Sequence, residues 1–192
     1  MSEVSRIECP KADWIRVVNA ARRTVGKEPI DHEPSNGFKR KILLAEHSPI
    51  RLLEYDFTWE DIKHWVTVHY VRHHEGCEKF VHTQRVDRNP ELACMNRDEL
   101  PQGLPTDMDM SCNAQAFINI SRKRLCSRAS IETRETWKQV LEFLKTEDPI
   151  LVEKCVPECV YRGFCPESPS CGYCNTEAYQ KALKEYRRTD NE

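Results

Sequence analysis

The stretch RDELPQGLPTDMDMSCNAQAFINISRKRLCSRASIETR, residues 97–134, decides how this chain is read. From Asn113 to Lys123 it reads as a helix. Ser127 or Ser130 then offers an N-cap for another, in which Trp137, Val140, Leu141 and Leu144 form the buried stripe and Pro149 marks the end. In front of these helices, Asn89 to Ser111 is rich in Pro, Asp and Gly, which predicts irregular structure.

Upstream, Trp14, Val17, Val18, Ala21 and Val25 make the apolar face of a helix over 13–27, ended by Gly26 and the turn-rich KEPIDHEPSNG. Ser48-Pro49 opens a segment over 51–57 whose Leu53, Tyr55 and Phe57 alternate as in a half-buried strand. Ile62, Trp65, Val66, His69 and Tyr70 then keep the helical period over 61–74, into Arg72-His73-His74, and Gly76 interrupts. Phe80 to Arg88 reads as a short strand or an ordered loop. Beyond Cys155, five cysteines fall within twenty residues, followed by a charged helix over 177–188.

At 192 residues the chain is expected to hold one core, residues 1–150, with a Cys-rich tail and C-terminal helix over 151–192. Its residues are 39% hydrophobic, with no apolar run near the ~18 residues of a membrane span and no apolar stretch of a signal peptide at the start. A soluble, cytoplasmic protein without a membrane partner is expected. Lys plus Arg (29) nearly balance Asp plus Glu (31), so a net charge of −2 gives no global field for a polyanion, and nucleic acid is not the expected partner. An anion must be held by a local cluster. His69, Arg72, His73, His74, Lys79, His82, Gln84, Arg85, Arg88 and Arg97 supply one, suited to a small phosphate-bearing ligand because guanidinium groups grip phosphate oxygens in pairs. Neither GxGxxG nor GxxxxGK[ST] occurs, so side chains from separated segments must assemble the site.

These residues resemble the flavin-dependent thymidylate synthases. That family's RxxLP segment precedes by eleven residues a helix carrying NAxxxxN, then an Arg, then an A-x-x-E helix start. Here stand Arg97-Asp98-Glu99-Leu100-Pro101, eleven residues, Asn113-Ala114, Asn119, Arg124, Ala129 and Glu132. His47-Ser48-Pro49, the helix ending Val71-Arg72-His73, and Thr83-Gln84-Arg85-Val86-Asp87-Arg88 add to the likeness, which covers roughly residues 13–146. The family signature RHRxxSxNExSxR is split here, with Gln84 in place of Glu and Val86 in place of Ser, and the central helical region shrinks to residues 89–96.

The resemblance implies an α/β (α+β) fold with a small mixed or antiparallel sheet flanked by helices, and a homotetramer whose sites draw on several subunits. It implies reductive methylation of dUMP to dTMP with FAD, NADPH and methylenetetrahydrofolate. Position by position, it assigns Ser48, Arg72, His73, His74, Gln84, Asn113 and Asn119 to FAD. It assigns His69, Arg72, Gln84, Arg88, Arg97 and Arg124 to the nucleotide. Arg124 would lie against the pyrimidine and help ionise its N3 position. Another C5 modification of a pyrimidine nucleotide, such as hydroxymethylation, is the neighbouring alternative. A different class, a zinc-binding nucleic-acid module, would rest on Cys155, Cys159, Cys165, Cys171 and Cys174, which are spaced for zinc, for an iron–sulfur site, for reduced thiols or for a disulfide. Cys9, Cys77, Cys94, Cys112 and Cys126 are scattered.

Overall fold

The computed structural model describes residues 3–8 and 13–190; Cys9 lies outside them. Four antiparallel strands form one sheet in the order β1-β2-β4-β3, with β1 at Glu3–Glu8, β2 at Glu54–Lys63, β3 at Cys77–Val81 and β4 at Pro105–Asn113. The sheet is therefore antiparallel, within the fold class expected.

Helices α1 (Trp14–Thr24), α2 (Asn36–Leu44), α3 (His64–Val71), α4 (Ala114–Arg124), α5 (Ile131–Glu147) and α6 (Pro149–Lys154) belong to the main core, and α7 (Glu158–Arg162) and α8 (Glu177–Tyr186) to the tail. Alternation decides which sheet face they cover. Tyr55, Phe57 and Trp59 of β2 and Met108, Met110 and Cys112 of β4 are buried, whereas Glu54, Asp56, Glu60, Asp107 and Asp109 are exposed. Over the buried face lie Tyr70, Phe117 and Trp137 of α3, α4 and α5. Trp59 stacks on Tyr70 at 4.5 Å between ring centroids, and Phe117 meets Tyr55 edge-on at 5.4 Å. α4 is buried on most sides, its Ala116, Phe117, Ile118 and Ile120 all enclosed, so it is the central helix of the domain.

Three elements differ from the sequence expectation. Residues 105–113 are strand, not irregular: Thr106, Met108, Met110 and Cys112 alternate inward, and the Pro and Asp residues of the segment lie on the open face. β2 starts at Glu54 and runs on through Asp61 to Lys63, where a helix was expected; a register shift between Trp59 and Ile62, with Asp61 at φ 54°, breaks its alternation. After the turn-rich connection comes a helix, α2, capped by Ser35, whose side chain accepts from Phe38 N. Ser130 is the N-cap of α5, one of the two candidates read from the sequence.

The tail forms a second, small core of Cys159, Val160, Tyr179 and Tyr186. Buried Lys154 Nζ donates to the carbonyls of Tyr186 (2.6 Å) and Arg188 (3.0 Å), which satisfies the C-terminal end of α8. Arg40 of α2 grips Glu153 at 2.8 and 2.9 Å and also donates to Asp190 O.

Candidate active site

The site is built where α3 ends and α4 begins. Arg72 is the C-cap of α3, and His73 N closes the helix end on Tyr70 O at 2.9 Å. The chain reverses at Gly76, at φ 71°, so closely that a Cβ there would lie within 2.8 Å of the Asn113 side-chain atoms. Asn113 N donates to Gly76 O at 2.9 Å, and Asn113 Oδ1 accepts from Ala116 N at 2.9 Å as the N-cap of α4. One asparagine thus fixes the start of α4 against the loop that follows α3.

Between them opens a cavity of about 310 Å³, lined by Arg72, His73, His74 and Glu75 from the loop and by Ala116, Asn119 and Ile120 from α4. The α4 residues sit at i, i+3 and i+4, the spacing of a single helix face. Arg124, one turn further along α4, closes the rear. Its Nε donates to His73 Nε2 at 3.0 Å, and its Nη2 donates to His69 O. Nη1 makes no hydrogen bond among the described residues.

The bond from Arg124 requires an unprotonated Nε2 on His73, hence a neutral imidazole carrying its proton on Nδ1. Burial, then the charges of Arg124 and Lys79, hold His73 down to about 4. His69 is also lowered, by burial first and then by Arg124 and Arg72, and its Nδ1 lies 2.7 Å from Thr133 Oγ1. Burial, followed by the neighbouring Arg72, lowers Arg124 itself. The arrangement is a set of cations and donors facing one carboxylate, Glu75, and so has unmatched capacity for an anion.

The structure thus brings His69, Arg72, His73, His74, Asn119 and Arg124 together, with Asn113 behind them. Ser48 begins a 3-10 turn packed on α4, outside the cavity lining. Gln84, Arg88 and Arg97 lie on the segment before β4, also outside it. There Gln84 Nε2 is buried without a hydrogen-bond partner, and Arg97 acts electrostatically on Asp87, which is ion-paired to Arg85 at 2.6 Å. Reading the sequence missed Glu75, Ala116 and Ile120 in the wall; the i, i+3, i+4 spacing around Asn119 was the signal for the last two. It counted Lys79 in the anion-binding cluster, whereas Lys79 Nζ donates to His73 O and Cys77 O and fastens β3 to the loop.

In the tail, Cys126, Cys159, Cys165 and Cys171 line a separate cavity of about 560 Å³, and the Cys174 thiol contacts those of Cys159 and Cys165. Cys155 is apart from them, buried in the main core, with its thiol pushed up to about 12. Among the described residues no three His, Cys, Asp or Glu side chains meet so as to hold a metal ion. Nor, among them, is any helix long and apolar enough to cross a membrane.

Residues 89–150 match the family model described as thymidylate synthase complementing protein. The flavin-dependent thymidylate synthase of Pyrococcus horikoshii is 33% identical over 95 residues, 45% of this chain and 39% of that protein. The chain thus matches about two fifths of that relative's length. Two solved structures share the fold across most of both chains. One is the flavin-dependent thymidylate synthase ThyX from Helicobacter pylori complexed with FAD and dUMP, with TM-score 0.61, 15% identity, and coverage of 81% of this chain and 99% of that one. The other is the UMP/dUMP methylase PolB from Streptomyces cacaoi bound with 5-Br dUMP, with TM-score 0.60, 14% identity, and coverage of 88% and 97%. The likeness defines the class of fold, an antiparallel sheet covered by helices, with a cavity between two of them. Over residues 89–150 the chain is similar in sequence to the flavin-dependent thymidylate synthases, and its fold is shared with ThyX and PolB.

Proposed function

We propose that the protein catalyses reductive methylation of dUMP at C5 to give dTMP, with FAD as bound cofactor and NADPH and methylenetetrahydrofolate as co-substrates. The observation that carries this reading is that Arg72, His73, His74 and Asn119 line one cavity and Arg124 bonds to His73 behind it, five positions to which the resemblance assigns a role. When bound, a reduced flavin would supply the hydride. The chain's own residues bind and orient.

The donor set fits such a cofactor. Arg72 and His74 present donors at the mouth, Asn119 adds an amide, and 310 Å³ is at the small end of ligand pockets, room for one end of a dinucleotide and not the whole. The remainder would be completed by neighbouring subunits of a homotetramer. Gln84 Nε2, buried and unpartnered, is the kind of donor a ligand acceptor satisfies. Arg97, remote from the cavity within one chain, would reach a nucleotide phosphate held by a second subunit.

Arg124 is already desolvated and held by His73 and His69, so its position requires no reorganisation when negative charge develops on a uracil ring. His73, fixed neutral, adds no competing charge. The likeness to a UMP/dUMP methylase keeps a second reading open, modification at C5 with a different outcome such as hydroxymethylation. An anaerobic flavin spectrum with and without dUMP, followed by the mass of the product, separates the cases. A colourless protein that neither takes up FAD nor perturbs it on adding dUMP would overturn both.

A further inference from the structure

Two buried cysteines take no part in the proposed reaction. Cys77 opens β3 and Cys112 is its register partner on β4. Their Sγ atoms are 2.9 Å apart, and neither is in a disulfide. The next pair along, Gly76 and Asn113, is joined by the bond from Asn113 N to Gly76 O. In an antiparallel ladder the neighbouring pair is then the narrow one, whose typical Cα separation of ~4.5 Å lies inside the range a disulfide spans.

The two thiols are not equivalent. Cys77, 6% exposed, is lowered by its hydrogen bond with Cys112 and by the Lys79 ammonium, against burial and Glu78. Cys112, 1% exposed, is raised well above the usual thiol by burial and by Cys77, with Asp56 adding to the rise and Lys79 opposing it. The more accessible sulfur is thus also the better nucleophile, and the deeper one is placed to resolve it.

We propose that Cys77 and Cys112 form a dithiol oxidised by hydrogen peroxide, whose disulfide ties edge strand β3 to β4 at the root of the loop that lines the His73 cavity. The Cys77 thiolate attacks one peroxide oxygen; the O–O bond breaks, hydroxide leaves and takes a proton to become water, and Cys77 is a sulfenic acid. Cys112 sulfur then attacks Cys77 sulfur. The S–S bond forms, the S–O bond breaks, and the departing hydroxide leaves as water with the Cys112 proton. In sum, two thiols and one peroxide give one disulfide and two waters, and a dithiol reductant reverses it. The bond closes at the root of the loop carrying His73 and His74, one residue from both Gly76 and Asn113.

The test uses the full chain, treated with hydrogen peroxide near stoichiometry, quenched with N-ethylmaleimide and mapped by non-reducing peptide mass spectrometry. A cross-link between the Cys77 and Cys112 peptides, lost on adding dithiothreitol, is the expected result. Amide exchange over residues 77–81 should slow about tenfold in the oxidised protein. Cys112→Ser should leave Cys77 as a dimedone-reactive sulfenic acid, and Cys77→Ser should leave Cys112 unoxidised. The wild-type map stands even if a variant fails to fold. Full alkylation of both cysteines after peroxide and unfolding, with oxidation confined to exposed Cys94 and Cys171, overturns the proposal. The dithiol rests on the strand pairing and not on the proposed reaction, so a reduced protein without dUMP turnover that still cross-links on oxidation counts against the reaction and not against the dithiol.

Discussion

The tail and the cavity between α3 and α4 are both dense in charge, and they dispose of it in opposite ways. In the tail, every prominent charge has a partner of the other sign or a carbonyl. Arg40 holds Glu153, Lys154 holds two carbonyls, and Glu158 takes Arg122, Lys123 and Arg162. Burial opposes ionisation of Glu158, yet the hydrogen bonds from Arg162 and Arg122 win and bring it to about 2. In the cavity lining, Arg72, His73 and His74 stand beside a single carboxylate, Glu75, and Arg124 behind them is held by His73 and the His69 carbonyl and not by a carboxylate. A self-neutralising cluster is scaffolding, whereas an unbalanced one within a concave wall is prepared for a ligand that supplies the missing charge.

The sharpest way to break this contrast is at Arg124. Arg124→Ala should lower dUMP turnover by ~10²–10³, the usual cost of losing one preorganised donor, with circular dichroism unchanged. Wild-type turnover in that variant removes the catalytic assignment. The reciprocal experiment is Lys154→Met, which deprives two helix-end carbonyls of their donor. It should lower unfolding free energy by about 2–3 kcal/mol in urea titration while turnover per folded molecule stays unchanged. Turnover falling along with stability would make the tail part of the site.

The two regions were also unequally legible. On α4 the spacing of Asn113, Asn119 and Arg124 survives in linear sequence because one helix and its N-cap carry all three, so a single element places the cap, the cavity wall and the arginine behind it. Strand β4 was hidden by its composition. Pro105, Asp107 and Asp109 look like loop residues, but every second position, Thr106, Met108, Met110 and Cys112, is apolar or small and faces the core. The end of β2 was hidden by geometry, since the irregularity at Asp61 interrupts the period of two and leaves Ile62 to be counted with the helix. Among the tail cysteines, sequence proximity misled. Cys155 is nearest in the chain but buried in the other core, and distant Cys126 lines their cavity. No linear spacing encodes a neighbour brought in by packing.

Arg97 sharpens the contrast at intermediate size. It lies outside the cavity lining of its own chain, and in the proposed homotetramer it would reach the nucleotide phosphate from a neighbouring subunit. Arg97→Ala should raise KM for dUMP by about tenfold or more, the worth of a hydrogen bond between charged groups. Deoxyuridine, lacking the phosphate, should be unaffected; equal losses for both would mean that Arg97 does not meet the phosphate.

The smallest effect concerns how the unbalanced cluster tolerates its own charge. His73 is at about 4 when folded, against an ordinary 6.5. As pH falls from 6.5 towards 4, the unfolded chain takes up the proton first, so stability is lost across that window and this group contributes no slope outside it. His73→Asn keeps an acceptor that Arg124 can use and removes the titration. The difference in unfolding free energy, wild type minus His73→Asn, should therefore decrease by about 1 kcal/mol on acidification through that range, a figure discounted because the ring is partly open to solvent. A difference that stays flat would mean that the imidazole is not held neutral beside Arg124. The site would then have to meet its ligand with one cation more than the geometry allows.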